Sequence, residues 1–140
     1  MTRISGAGAA APGLVLAALL AVMAGQAQAD PCEAIPQDGP MPGYLSFGSS
    51  FSGPVTHVID GDSLCVAVGP GPENLVEVRV SDFYAPELSS PAGPAAKAAL
   101  EHIALGRQAS CVAGLRTYDR VAARCRIDGR SVIGAEDRKS

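Results

Sequence analysis

Thirty-one residues, His57 to Glu87, constrain this chain more than any other stretch. H-V-I-D-G-D-S-L-C-V-A-V alternates apolar and polar residues, breaks at Asp60-Gly61-Asp62 and resumes as a second apolar run. That pattern predicts a strand, a tight Asp-Gly turn and a second strand. After the Gly69 to Pro72 turn, Val76, Val78 and Val80 share one face of a third strand, with Glu77, Arg79 and Ser81 on the other. Pro86 stops the strand in an extended turn, and Glu87 follows. Asp62, Glu87 and Arg79 are therefore expected to converge on one cleft. Carboxylate oxygens suit a hard cation and a guanidinium suits a phosphate, so the chemistry they suggest is metal-assisted attack on a phosphodiester.

The rest of the chain supplies a frame. Arg3, the apolar run Pro12 to Ala24 and Ala27-Gln28-Ala29 form a positive end, a hydrophobic segment and an A-x-A cleavage site, so residues 1–29 read as a signal peptide. The apolar run is short for a membrane span. Secretion, or export to a periplasm, is expected. Residues 30–52 are rich in Pro, Gly and Ser without periodicity. They read as a leader, either extended along the domain or disordered, with Tyr44, Phe47 and Phe51 as anchors. The domain is expected over 53–135, followed by a polar tail at 136–140.

Gly93-Pro94 opens a helix that Gly106 closes, with Ala96, Ala99, Leu100 and Ile103 at helical spacing. Gln108 to Gly114 and Val121 to Ile127 read as strands four and five, and Asp128-Gly129 as a turn. Five strands with a helix between the third and fourth predict a mainly β fold, a five-stranded OB-type barrel. The cysteines are Cys32, Cys65, Cys111 and Cys125. In an oxidising compartment disulfides form, and the adjacent strand patterns favour Cys111 with Cys125; the pairing of Cys32 and Cys65 stays open. No C-x-x-C unit occurs, which argues against zinc. The chain carries a net charge of -3. A nucleic-acid binder is usually basic, but Arg107, Arg116, Arg120, Arg124, Arg126 and Arg130 all fall late in the chain. Either a basic face or an ordinary solvated arginine-rich strand fits them.

D-G-D-S, then V-R-V, then A-P-E, then R-T-Y-D-R at Arg116 to Arg120 together resemble the staphylococcal nuclease-like (thermonuclease) family, over roughly residues 53 to 133. The resemblance implies a hydrolase that cleaves phosphodiester bonds of DNA or RNA with calcium. Glu87 would orient or deprotonate water, Arg79 and Arg120 would grip the phosphate, and Asp62 with the Ala85 carbonyl would ligate the ion. Tyr84 stands where the family has an aspartate, and Asp119 where it has glycine. Family members continue into further helices where this chain ends in E-D-R-K-S. The alternative reading is a non-catalytic OB-type module that binds nucleic acid or another polyanion.

Overall fold

The computed structural model describes residues 30–81 and 85–132. The expected signal segment, Asp82, Tyr84 and the expected polar tail lie outside the described residues. Among the described residues, six strands and one α-helix follow in order: β1 (Ser50–Asp60), β2 (Ser63–Ala67), β3 (Leu75–Val80), α1 (Gly93–Ala104), β4 (Gln108–Thr117), β5 (Arg120–Ile127) and β6 (Arg130–Ser131). The sheet order is β3-β2-β1-β4-β5-β6, and a parallel pairing of β3 with β5 closes the first five strands into a barrel of OB type. The helix lies between the third and fourth strands, as the sequence predicts. The two-residue β6 is an addition, reached through the Asp128-Gly129 turn and paired to the end of β5.

β1 is long because it serves two neighbours. Its first half pairs with β4 (Ser50↔Val112 to Pro54↔Gln108) and its second half with β2 (Val55↔Val66 to Asp60↔Ser63). The change of partner falls at Gly53-Pro54. A Cβ on Gly53 would lie 1.8 Å from the Ala67 carbonyl oxygen, so only glycine lets the strands cross there. β1 begins at Ser50, three residues before the expected start of the domain.

Alternation sorts the side chains. Val76, Val78 and Val80 of β3, Leu64 and Val66 of β2, and Val121, Ala123, Cys125 and Ile127 of β5 fill the interior with Leu100 and Ile103 of α1. Pro94 sits in the first turn of α1, and Gly106 takes a φ of 78° just past its end. Cys111 and Cys125 are directly opposite on β4 and β5 and are disulfide-bonded, as expected. Cys32 and Cys65 form the second bridge.

That second bridge fixes the leader along the barrel. The N–H groups of Glu33 and Ala34 donate to the carbonyls of Pro72 and Leu75 at 3.0 Å. Arg116 closes the other end, donating at 2.6 Å to the carbonyls of Tyr118, Gly39 and Pro36. Of the expected anchors Tyr44, Phe47 and Phe51, only Phe51 packs into the core. Phe47 is 76% exposed and Tyr44 about half exposed; Ile35 and Leu45 are buried in their place, with Phe51 already part of β1. Proline, glycine and serine hide this docking from periodicity, because a disulfide and backbone carbonyls carry it.

Candidate functional site

The outer face of the β2–β3–β5 seam carries the site. Register places Ser63 opposite Arg79 and Cys65 opposite Glu77 on β2 and β3, while Arg79 lies beside Ala122 of β5. Arg79 and Glu77 alternate with the valines that fill the interior. Arg79 and Arg120 are thus held on two strands of one surface by the alternation that builds the core.

A relay of polar contacts links them. Arg79 Nη2 lies 3.7 Å from Asp62 Oδ2. Ser63 Oγ donates to Asp62 Oδ1 at 3.4 Å and accepts from Arg120 Nη1 at 3.3 Å. Arg120 Nε in turn lies 3.8 Å from Glu77 Oε2. All four distances are long for tight pairs, and both arginines remain about one-third exposed, so each keeps donors for a ligand.

The Asp-Gly turn is shaped by packing. Asp62 N–H donates to Asp60 Oδ1 at 3.1 Å, an Asx turn within D-G-D. Gly61 has no positive φ; its role is closeness, since a Cβ there would lie 2.6 Å from Ala85 Cβ and 2.7 Å from Ala96 Cβ. The turn therefore rests directly on α1 and on buried Ala85. In the R-T-Y-D-R turn, Tyr118 adopts the positive φ, 56°, and Asp119 does not.

Burial decides the electrostatics. Asp62 holds its proton more tightly than an ordinary aspartate, first through burial, then through the hydrogen bond and charge of Asp60; Arg79 and Ser63 oppose the shift without cancelling it. Glu77, under the leader, is pushed up to about 7 by burial, then by the carboxylates of Asp30 and Asp119, against the pull of Arg120. Desolvation outweighs the ion pair there. Strand alternation alone assigns Glu77 to a solvated face, since it cannot show that a Pro-rich leader covers it. Ser63 joins the site as the residue that completes D-G-D-S, a signal present in the sequence.

Two expected residues stand apart from the relay. Ala85 packs under the Asp-Gly turn, and Glu87 lies two residues further on, exposed. Ser90 N–H and Oγ both donate to the Glu87 carbonyl, at 2.9 and 2.7 Å, and Gly93 lets this loop turn tightly against the start of α1. Among the described residues no ion pair or hydrogen bond reaches the Glu87 carboxylate. Elsewhere, ligand atoms of Asp30, Cys32 and Glu77 lie within 4.8 Å of one another, but Cys32 is disulfide-bonded and offers no thiolate. The two disulfides fit an oxidising compartment, and no helix among the described residues is long and apolar enough to cross a membrane. No family model matches the chain, and no curated protein matches it, so its chemistry is read from the site alone.

Proposed function

We propose that this is an exported phosphodiesterase acting on DNA or RNA with a calcium-type cation. The observation that carries the reading is the relay Arg79–Asp62–Ser63–Arg120: two partly exposed guanidiniums flank a carboxylate and a hydroxyl on one surface. Two planar, permanently charged donors on one surface suit a phosphate whose oxygens gain charge as water attacks. Arg79 and Arg120 orient the phosphodiester and stabilise that charge. Glu87, solvated and without a side-chain partner among the described residues, accepts the proton of the water whose oxygen bonds to phosphorus, while the P–O ester bond breaks and the leaving oxygen takes a proton from solvent.

The residues fit a hard cation. Asp60 and Asp62 crowd two carboxylates into one turn, where burial first and Asp60 second raise the proton affinity of Asp62. Asp62, Asp60 and the Ala85 carbonyl would hold the ion through oxygen, the donor set calcium prefers. The chemistry such a cation supplies when bound is additional positive charge beside the phosphate. The signal segment and the two disulfides support export.

One observation favours the second reading, an OB-type module that binds nucleic acid or another polyanion without cleaving it. No described side chain orients Glu87, and a catalytic base is normally held by its neighbours. Incubating the purified protein with single-stranded DNA and RNA, in calcium and in chelator, separates the two. Calcium-dependent fragments are expected; intact substrate under both conditions assigns the binding module.

A further inference from the structure

The late arginines differ in what they already hold. Arg107 pairs with Asp128 at 3.4 Å, Arg116 clasps the leader and Arg120 joins the relay. Arg124 and Arg126 have no partner among the described residues. Both project from the outer face of β5, because Val121, Ala123, Cys125 and Ile127 take the inner one. Arg120, Ala122, Arg124 and Arg126 thus form one strip, about 20 Å from first to last at extended-chain spacing.

Three grooves follow that strip in order. The first, of about 540 Å³, contains Arg120 and the exposed Tyr118 but is also lined by Asp30, Asp38, Glu77 and Asp119, so an anionic ligand is assigned to the other two. The second, of about 410 Å³, lies between Phe47, Leu115, Ala122 and Arg124. The third, of about 620 Å³, is lined by Ser50, Ser52, Ser110, Arg124 and Arg126, so Arg124 belongs to two of them. Its floor is regular: Ser52 faces Ser110, Ser110 faces Arg126 and Arg126 faces Ser131 on four successive strands. No described acidic residue lines the second or third groove, in a chain whose net charge is -3. Beside Arg124, Phe47 is 76% and Leu115 72% exposed.

We propose that the outer strip of β5 is a track for a single-stranded nucleic acid leading away from Arg79 and Arg120. Phosphates lie on Arg124, Arg126 and the seryl hydroxyls, and a base rests against Phe47. Cations spaced along a groove with an exposed aromatic beside them are what an unpaired strand needs, since its bases are free to stack. A sulfated glycan satisfies the arginines equally well but leaves Phe47 and Leu115 in water. The track deepens the proposed function and rests on it for the identity of the ligand.

The test reads binding in chelator, where turnover plays no part. A labelled single-stranded oligonucleotide of about 12 nucleotides, within the span of one OB barrel, is titrated by fluorescence anisotropy at several salt concentrations. Arg124→Glu with Arg126→Glu is expected to weaken binding about tenfold or more, and to reduce the log–log salt slope by about 1.4, two phosphate contacts on a single strand. Phe47→Ala is expected to weaken binding roughly tenfold with the slope unchanged. Thermal melts check folding, and Arg124→Gln with Arg126→Gln serves if the charge reversal does not fold. Unchanged affinity and slope in the arginine variants overturn the track, as does a heparin oligosaccharide that binds more tightly than the oligonucleotide. A protein that binds through these residues and never cleaves keeps the track and loses the catalytic reading. One that cleaves while the arginine variants bind normally does the reverse.

Discussion

Arg120 and Glu77 face each other across the β5–β3 seam, Nε to Oε2 at 3.8 Å, beneath a leader tied down at Cys32. The pair joins the arginine relay to a buried carboxylate whose proton affinity is set by desolvation more than by its arginine.

A pH dependence follows from Glu77. Its carboxyl titrates at about 7 in the folded protein and near 4.5 otherwise, with Asp30, Asp119, Arg120 and Asp60 as the charged groups around it. Between those values the native state binds more protons than the unfolded chain, so this group makes stability fall as pH rises from about 4.5 to 7. Glu77→Gln removes that loss. Each tenfold difference in proton affinity between the two states is worth about 1.4 kcal/mol, and residual solvent around the carboxyl trims the total. Urea denaturation at pH 5 and pH 8 is therefore expected to show the variant gaining roughly 2 to 3 kcal/mol relative to the parent over that range. Parallel pH profiles for the two proteins contradict the assignment.

In the proposed mechanism, Arg79→Ala and Arg120→Ala each remove a donor for charge that grows during the reaction. Each is expected to lower kcat about a hundredfold, roughly 3 kcal/mol, with a much smaller change in KM. Lysine at either position restores little, because a point charge does not reproduce the planar fork. Steady-state kinetics on a short oligonucleotide measures the split, and a change confined to KM points to uniform binding.

The two disulfides are expected to contribute unequally. Cys32–Cys65 closes 33 residues and Cys111–Cys125 closes 14, which corresponds to roughly 4 and 3 kcal/mol of chain entropy. Cys32→Ser with Cys65→Ser is also expected to release the leader, so protease cleavage within residues 30–40 should rise while the barrel core stays protected. Unchanged cleavage there places the tether in Arg116 and the backbone bonds instead.

The barrel was legible in the sequence because its signals are periodic. Val76, Val78 and Val80 announce β3, and Cys111 and Cys125, placed in successive apolar alternations, meet as neighbours. The site was legible only in part. Asp62, Arg79 and Arg120 come together through strand register, whereas Ala85 and Glu87 depend on a turn whose geometry Gly61, Ala96 and Gly93 fix by close approach. Contact between a glycine and a helix leaves no period to read. The docked leader, and with it the burial of Glu77, rests on a disulfide, two bonds from Arg116 to Gly39 and Pro36, and the backbone bonds of Glu33 and Ala34, none of which repeats along the chain. The start of β1 at Ser50 is obscured by small residues and Pro54.

Tyr84→Asp adds a carboxylate one residue before Ala85 in the sequence, and the turn that packs on Ala85 supplies Asp60 and Asp62 among the described residues. Ligand charge helps set calcium affinity, so the variant is expected to bind calcium about tenfold more tightly by calorimetry. Equal affinities mean that another group already supplies the third charge.

Glu87 is the residue on which the proposed mechanism turns. Glu87→Gln keeps the size of the side chain and removes its basic oxygen, so cleavage and binding respond differently if this residue takes the proton from water. With single-stranded DNA and calcium, cleavage is expected to fall by about 10²- to 10⁴-fold, while anisotropy in chelator shows oligonucleotide binding unchanged. Cleavage at the parent's rate by Glu87→Gln contradicts the mechanism.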